Sequence, residues 1–233
     1  MNTENAATVR DSRVRLPLGP VTLDGDLSIP DGATGLVLFA HGSGSSRLSP
    51  RNVQVARGLQ AAGLATLLFD LLTVDEGAED AFTGRLRFDI DLLAQRLIGV
   101  TDLMLDGFAG QAWRLGYFGA STGAAAALIA AAHRPDGVQA VVSRGGRPDL
   151  AGSALAGVNA PTLLIVGEFD RVVIELNQDA YERLWCVKKL VIVPRATHLF
   201  EEPGALDEVT RLASDWFEHH LMQARADREG AAS

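Results

Sequence analysis

The strongest constraint on this chain is a series of short, nearly unbroken apolar runs. They are Leu36 to Phe39, Leu64 to Phe69, Leu115 to Phe118, Val138 to Val142, Pro161 to Val166 and Leu190 to Val193. Such runs are too short for helices, and they lack the polar alternation of a half-exposed strand. They suit strands covered on both faces, as in a parallel sheet. Helical segments fall between them. Ser49 and Pro50 read as N-cap and first helical residue of a helix closed by Gly63. From Phe88 to about Met104, apolar residues Leu93, Leu97, Val100 and Met104 repeat at helical spacing. An alanine-rich helix runs from Thr122 to Ala132 and another lies near Glu175 to Leu184. A last one opens near Pro203 and ends about Leu221, with Leu206, Val209, Leu212, Trp216 and Phe217 as its apolar stripe. Strand and helix alternate throughout, so the expected architecture is one open, mostly parallel sheet of seven to eight strands with helices on both faces.

The N-terminal part departs from this plan. Val14 to Leu18 and Val21 to Ile29 flank Gly19-Pro20 and read as an antiparallel hairpin. The segment from Thr73 to Arg85 carries Asp75, Glu76, Glu79 and Asp80 and reads as an acidic, solvated loop. Residues 1–13 and 223–233 are polar or small and read as flexible tails around a single domain over residues 14–222.

Between Phe118 and Thr122 lies Gly119-Ala120-Ser121-Thr122-Gly123, the pattern G-x-S-x-G in a strand–turn–helix context. A nucleophile elbow requires that context. A serine there is held in a strained backbone conformation, tolerable only where its neighbours are tiny, and Gly119, Ala120 and Gly123 leave the room. As a structural alternative, small-residue runs also occur where a helix packs closely on a sheet. Strand carboxyl ends in a parallel sheet share one rim. Ser121 falls there, and so do Asp170 after Val166 and His198 after Val193. A serine hydroxyl needs an imidazole to take its proton, and the imidazole needs a carboxylate to fix its tautomer. The chain order Ser, Asp, His matches one of the known triad orders. Glu168 is the alternative acid, but Asp170 reaches further into the loop. The N–H of Thr122 is the obvious first oxyanion donor. The Ser43 N–H, from the loop His41-Gly42-Ser43-Gly44-Ser45-Ser46-Arg47, is chosen as the second.

Other polar residues have plainer readings. His41 and Asp70 order the loops they begin, and His133, His219 and His220 suit helix ends. Arg144 and Arg147 follow Val142; solvation or pairing with Asp149 is the bland reading, and an anionic substrate group on Arg144 the sharper one. Gly42 and Gly44 are expected to line the substrate site.

The chain resembles the α/β-hydrolase superfamily, and within it the dienelactone hydrolase-like group. The likeness covers roughly residues 14–221 and rests on Leu23 to Leu27, His41-Gly42, the Gly119 to Gly123 elbow, Gly167 to Asp170, and Thr197 to Phe200. It implies an α/β-hydrolase fold, a Ser121–Asp170–His198 triad and a carboxylic ester, lactone or thioester as substrate, with no cofactor or metal. Dienelactone hydrolases proper use a cysteine nucleophile where this chain has Ser121. That points to an ester rather than to dienelactone. Residues 143–160 are too few for a helical cap domain, so an open site is expected. A non-catalytic binding module, or acyl transfer or perhydrolysis by the same three residues, remain alternatives.

Composition closes off other classes. The 233 residues are 47% apolar and 21% charged, as in a compact folded protein. A net charge of −8 argues against a nucleic-acid surface. Only Lys188 and Lys189 are lysines, so there is no Gly-Lys for a phosphate-binding loop of the Walker type. The five histidines lack metal-ligand spacing, and the one cysteine, Cys186, sits among Leu184, Trp185 and Val187 as a buried thiol would. No run is long enough to cross a bilayer and the N-terminus is polar, so neither membrane segment nor signal peptide is expected. A reducing, cytoplasmic setting fits the lone cysteine.

Overall fold

A computed structural model describes residues 8–108 and 110–222. Eight strands form one sheet in the order β1-β2-β4-β3-β5-β6-β7-β8. The hairpin is β1 (Val9–Leu18) and β2 (Val21–Pro30), antiparallel and in register from Val9↔Pro30 to Leu18↔Val21. β2 runs antiparallel to β4 (Ala65–Phe69). From there the sheet is parallel through β3 (Gly35–Ala40), β5 (Arg114–Ala120), β6 (Val138–Arg144), β7 (Thr162–Gly167) and β8 (Lys188–Val193).

The unbroken apolar runs do become doubly covered strands. Every residue of β3 is buried. Leu36, Leu38 and Ala40 join the core on one face, and Val37 and Phe39 the core on the other. The first core packs α3 (Ile90–Leu105), α4 (Thr122–His133) and α5 (Arg171–Arg183) on the sheet. The second packs α1 (Pro50–Ala61) and α6 (Ala205–Phe217). Phe39 and Phe118 meet in this second layer with ring centroids 4.9 Å apart. Each such fully buried ring contributes about 1.5–3 kcal/mol. α4 is buried nearly all round, and its alanines let it lie close against the sheet. β6 and β7 are joined by a 3₁₀ segment, Pro148–Gly157, and no cap domain is inserted there. Among the described residues no helix is long and apolar enough to cross a membrane.

Three expectations need correction. β1 begins at Val9, so residues 9–13 are strand and not tail. They are mostly exposed edge-strand positions held by pairing with β2, such as Asp11 opposite Ser28, and so carry no apolar pattern. The remaining tail residues, 1–7 and 223–233, lie outside those described. β6 runs on to Arg144, two residues beyond Val142. Third, Val74–Thr83 is a helix, α2, and not a loop. Thr73 and Glu76 form a reciprocal capping box, the Glu76 carboxylate accepting from Thr73 N–H at 2.8 Å and the Thr73 hydroxyl from Glu76 N–H at 3.2 Å. Gly84, at φ 63°, closes it. Its one buried residue is Asp80, which accepts from Leu86 N–H and from Arg87 Nε, each at 2.6 Å. Polar contacts, not an apolar stripe, hold this helix down.

Candidate active site

β5 delivers Ser121 to the rim of the sheet at φ 51° and ψ −121°, a conformation forced by the turn into α4. Close packing leaves this turn no slack. A Cβ on Gly119 would lie 2.5 Å from Ala124 Cα, and one on Gly123 2.2 Å from the Ala40 carbonyl oxygen. Both obstacles are backbone, so only glycine fits. The elbow is also tied sideways: Ser121 N–H donates to Arg144 O at 3.2 Å, and Arg147 N–H to Ser121 O at 3.1 Å. Thr122 opens α4 with its N–H unengaged among the described residues, at the positive end of the helix dipole.

His198 comes from the loop after β8. That loop passes directly over β7, because a Cβ on Gly167 would sit 2.4 Å from the Ala196 carbonyl oxygen. Asp170 ends the loop after β7, its N–H bonded to Gly167 O at 3.0 Å. The two side chains meet: His198 Nδ1 lies 2.5 Å from Asp170 Oδ2. The aspartate is the more buried of the pair, with 15% of its side chain exposed against 39% for the imidazole. Glu168, the other candidate acid, is taken by Arg195 N–H at 2.6 Å. The Nδ1 edge of the ring packs on Gly145, whose missing Cβ would be 3.4 Å from it. Since Gly145 follows Arg144, the ring and Ser121 flank the same end of β6. Among the described residues no hydrogen bond joins Ser121 Oγ to the ring. Bonds of this kind commonly form only with substrate in place.

The loop after β3 completes the rim. Gly42 packs on the elbow, where a Cβ would be 3.1 Å from that of Ser121. The Ser43 N–H, the expected second oxyanion donor, here donates to Thr122 Oγ1 at 2.9 Å. It is therefore aimed at the elbow but occupied. His41 is structural. Its Nε2 accepts from Leu71 N–H at 3.1 Å, which leaves the proton on Nδ1 to donate to Gly42 O at 3.0 Å. Burial lowers its pKa, against the opposing pull of Gly42 O and the Asp70 charge. Asp70 likewise orders the loop, accepting from Arg47 N–H at 2.8 Å and pairing with its guanidinium.

A cavity of about 320 Å³ adjoins this rim. Gly42, Ser43, Gly44, Asp80 and Arg87 are among its walls, whereas Ser121 and His198 are not. α2 and Arg87 escaped the sequence reading, although the Thr73-x-x-Glu76 spacing and Gly84 signal the helix. Asn177 escaped it too: buried on α5, it donates to Gly146 O at 3.0 Å and Val173 O at 2.8 Å, fixing the loop beside His198. Nothing in the sequence marked that contact. Arg147 pairs with Asp149 through two 2.8 Å bonds, whereas Arg144 does not. Among the described residues no three His, Cys, Asp or Glu side chains cluster as metal ligands would.

No family model matches the chain. The crystal structure of a dienelactone hydrolase from Anabaena variabilis is 62% identical, with a TM-score of 0.90 over 91% of this chain and 99% of that one. This chain belongs to the dienelactone hydrolase-like group of the α/β-hydrolases. More distant neighbours share the fold. Est1E from Butyrivibrio proteoclasticus superposes with a TM-score of 0.74 at 16% identity over 89% of this chain and 98% of its own. A Pyrococcus furiosus esterase does so with a TM-score of 0.74 at 17% identity, over 91% and 92%. Two curated Mycobacterium tuberculosis proteins, named provisionally as phosphoribosyl transferases, are 55% identical over 213 residues, 91% of this chain and 47% of theirs. The chain thus spans about half the length of the curated relatives it matches.

Proposed function

We propose that this hydrolase cleaves carboxylic esters through an acyl-enzyme on Ser121. The observation that carries it is the 2.5 Å contact between His198 and Asp170 at the rim where the strained Ser121 stands. In this mechanism the Ser121 oxygen attacks the ester carbonyl and its proton passes to His198 Nε2. Asp170 holds the opposite ring nitrogen protonated and stabilises the imidazolium. The carbonyl oxygen, now an anion, takes the Thr122 N–H, and gains the Ser43 N–H by displacing the Thr122 hydroxyl. Each such donor is worth about 3–4 kcal/mol in the transition state. Collapse of the intermediate breaks the bond to the alcohol, which leaves with the proton from His198. Water then attacks the acyl-enzyme, gives a proton to His198, and releases the acid as Ser121 recovers its hydrogen. An open rim without a cap favours small or accessible esters.

Labelling with a fluorophosphonate probe tests the reading. Wild type should label and Ser121→Ala should not. Asp170→Asn should cut kcat on p-nitrophenyl acetate by about 10³–10⁴-fold, while Glu168→Gln retains most of it. Folded wild-type protein that neither labels nor hydrolyses any ester would reject it in favour of a binding module.

A further inference from the structure

α2 covers space where a surface helix ordinarily covers core. Val74, Gly77, Asp80 and Ala81 recur along one side of it at helical spacing, and all four are walls of the cavity of about 320 Å³. A helix this short is marginal on its own and is normally held by burying an apolar stripe. Here the stripe includes a glycine and an alanine, and a Cβ added at Gly77 would meet nothing within 4 Å. The ties that hold the helix are polar. Asp80 accepts from Leu86 N–H and Arg87 Nε, and Glu76 accepts from Arg96 Nη2 at 2.6 Å. Of its ten residues only Asp80 is buried. This side of α2 lacks a packing partner, and a cavity of such a volume suits a small organic group.

The cavity and the nucleophile share a neighbour. Gly42 is a wall of the cavity and also packs on the elbow, where a Cβ on it would be 3.1 Å from that of Ser121. Ser43, whose N–H is aimed at the elbow, and Gly44 continue that wall. An ester with its carbonyl oxygen at the Thr122 and Ser43 N–H groups thus has the cavity beside one of its two halves. The charges around the cavity disfavour an anion there. Asp70 is paired with Arg47 and Asp80 with Arg87, while Asp24 forms no ion pair with the described residues. His41 has both ring nitrogens engaged. No arginine among the walls is left without a carboxylate, and Leu72 and Leu93 add apolar surface.

Building on the serine-hydrolase reading, we propose that this cavity receives the non-reacting half of the ester, a group without negative charge. α2 packs down on that group, and Gly77 and Ala81 set how large it can be. The test compares kcat/KM on ethyl acetate, ethyl benzoate and benzyl acetate, the last two bulky in the acyl and the alcohol half respectively. Gly77→Leu fills the cavity and replaces a poor helix former by a good one. It should lower kcat/KM for one of the bulky esters, relative to ethyl acetate, at least about tenfold. Ala78→Leu, at an exposed position that is not a wall, should keep the wild-type ratio. A para-carboxylate on the ring of the sensitive ester should lower wild-type kcat/KM at least about tenfold. In Ser121→Ala that ester should slow deuterium exchange of the α2 amides. If Gly77→Leu does not fold, Ala81→Leu carries the same expectation. An unchanged ratio in the folded variant, a loss shared equally by ethyl acetate, a carboxylate without effect, or α2 exchange that neither bulky ester slows would each overturn the proposal. An active esterase with any of these results sinks this inference alone. Protection of α2 by a bulky ester in a wild-type chain that hydrolyses none of the three sinks the serine-hydrolase reading.

Discussion

Replacing Ser121 by alanine and by glycine separates two things that one residue does. At φ 51° and ψ −121° its backbone occupies a region open to glycine and strained for any residue with a Cβ. Its hydroxyl forms no hydrogen bond with the described residues, so Ser121→Ala removes the nucleophile at little cost in stability and keeps the strain. Ser121→Gly removes both. Strain of this kind amounts to about 1–3 kcal/mol. Against it stand about 0.4–1 kcal/mol for the freer unfolded chain and less than about 0.8 kcal/mol for one partly buried methyl. On balance glycine should be the more stable variant by about 1 kcal/mol, or about 2–4 °C in Tm for a domain of this size. Urea unfolding of the three proteins, followed by tryptophan fluorescence, measures the difference directly. Both variants should be catalytically dead. An alanine variant as stable as the glycine variant, or more so, would refute the claim that this turn stores strain for the sake of a projecting hydroxyl.

Gly123→Ala would place a methyl 2.2 Å from Ala40 O and 2.5 Å from His41 O, prising α4 away from β3. Stability should fall by about 1–3 kcal/mol and kcat by about 10²–10³-fold, as the Thr122 and Ser43 donors separate; a wild-type kcat in the folded variant would contradict a shared oxyanion site. His41 gives the pH dependence. Its folded pKa lies below the ordinary 6.5, so below about pH 6.5 the unfolded chain binds a proton that the native state refuses. Stability is then lost as pH falls through this range, and above it the effect vanishes. In His41→Gln the loss of Tm between about pH 7 and 5.5 should be shallower than in wild type, and equal slopes would count against a neutral buried imidazole.

Much of the fold was legible because it depends on local pattern. A run such as Leu36 to Phe39 can be satisfied only by burial on both faces, and Ser49-Pro50 caps a helix whatever it packs against. Pattern failed where polar contacts substitute for apolar ones. α2 buries a carboxylate, Asp80, so it shows no apolar stripe, and β1 extends to Val9 on strand pairing that the sequence does not display. At the site, the chain order of Ser121, Asp170 and His198 was readable. In the structure Asp170 lies against His198 Nδ1, and Glu168 accepts from Arg195 N–H.

The sequence alone thus determined most of the strands and helices, α2 and the start of β1 excepted, and that the elbow would stand at a strand's carboxyl end. Those outcomes follow from burial periodicity and capping chemistry, which act within a few residues. Only the tertiary structure decided that Ser43 N–H is engaged by Thr122, that Asn177 fixes the loop beside His198, and that Arg147 has a partner while Arg144 Nε and Nη1 have none among the described residues. Each of these depends on where backbone far along the chain comes to rest, and hydrogen-bond partners and unpaired charges are set by distance in space, which residue spacing does not encode.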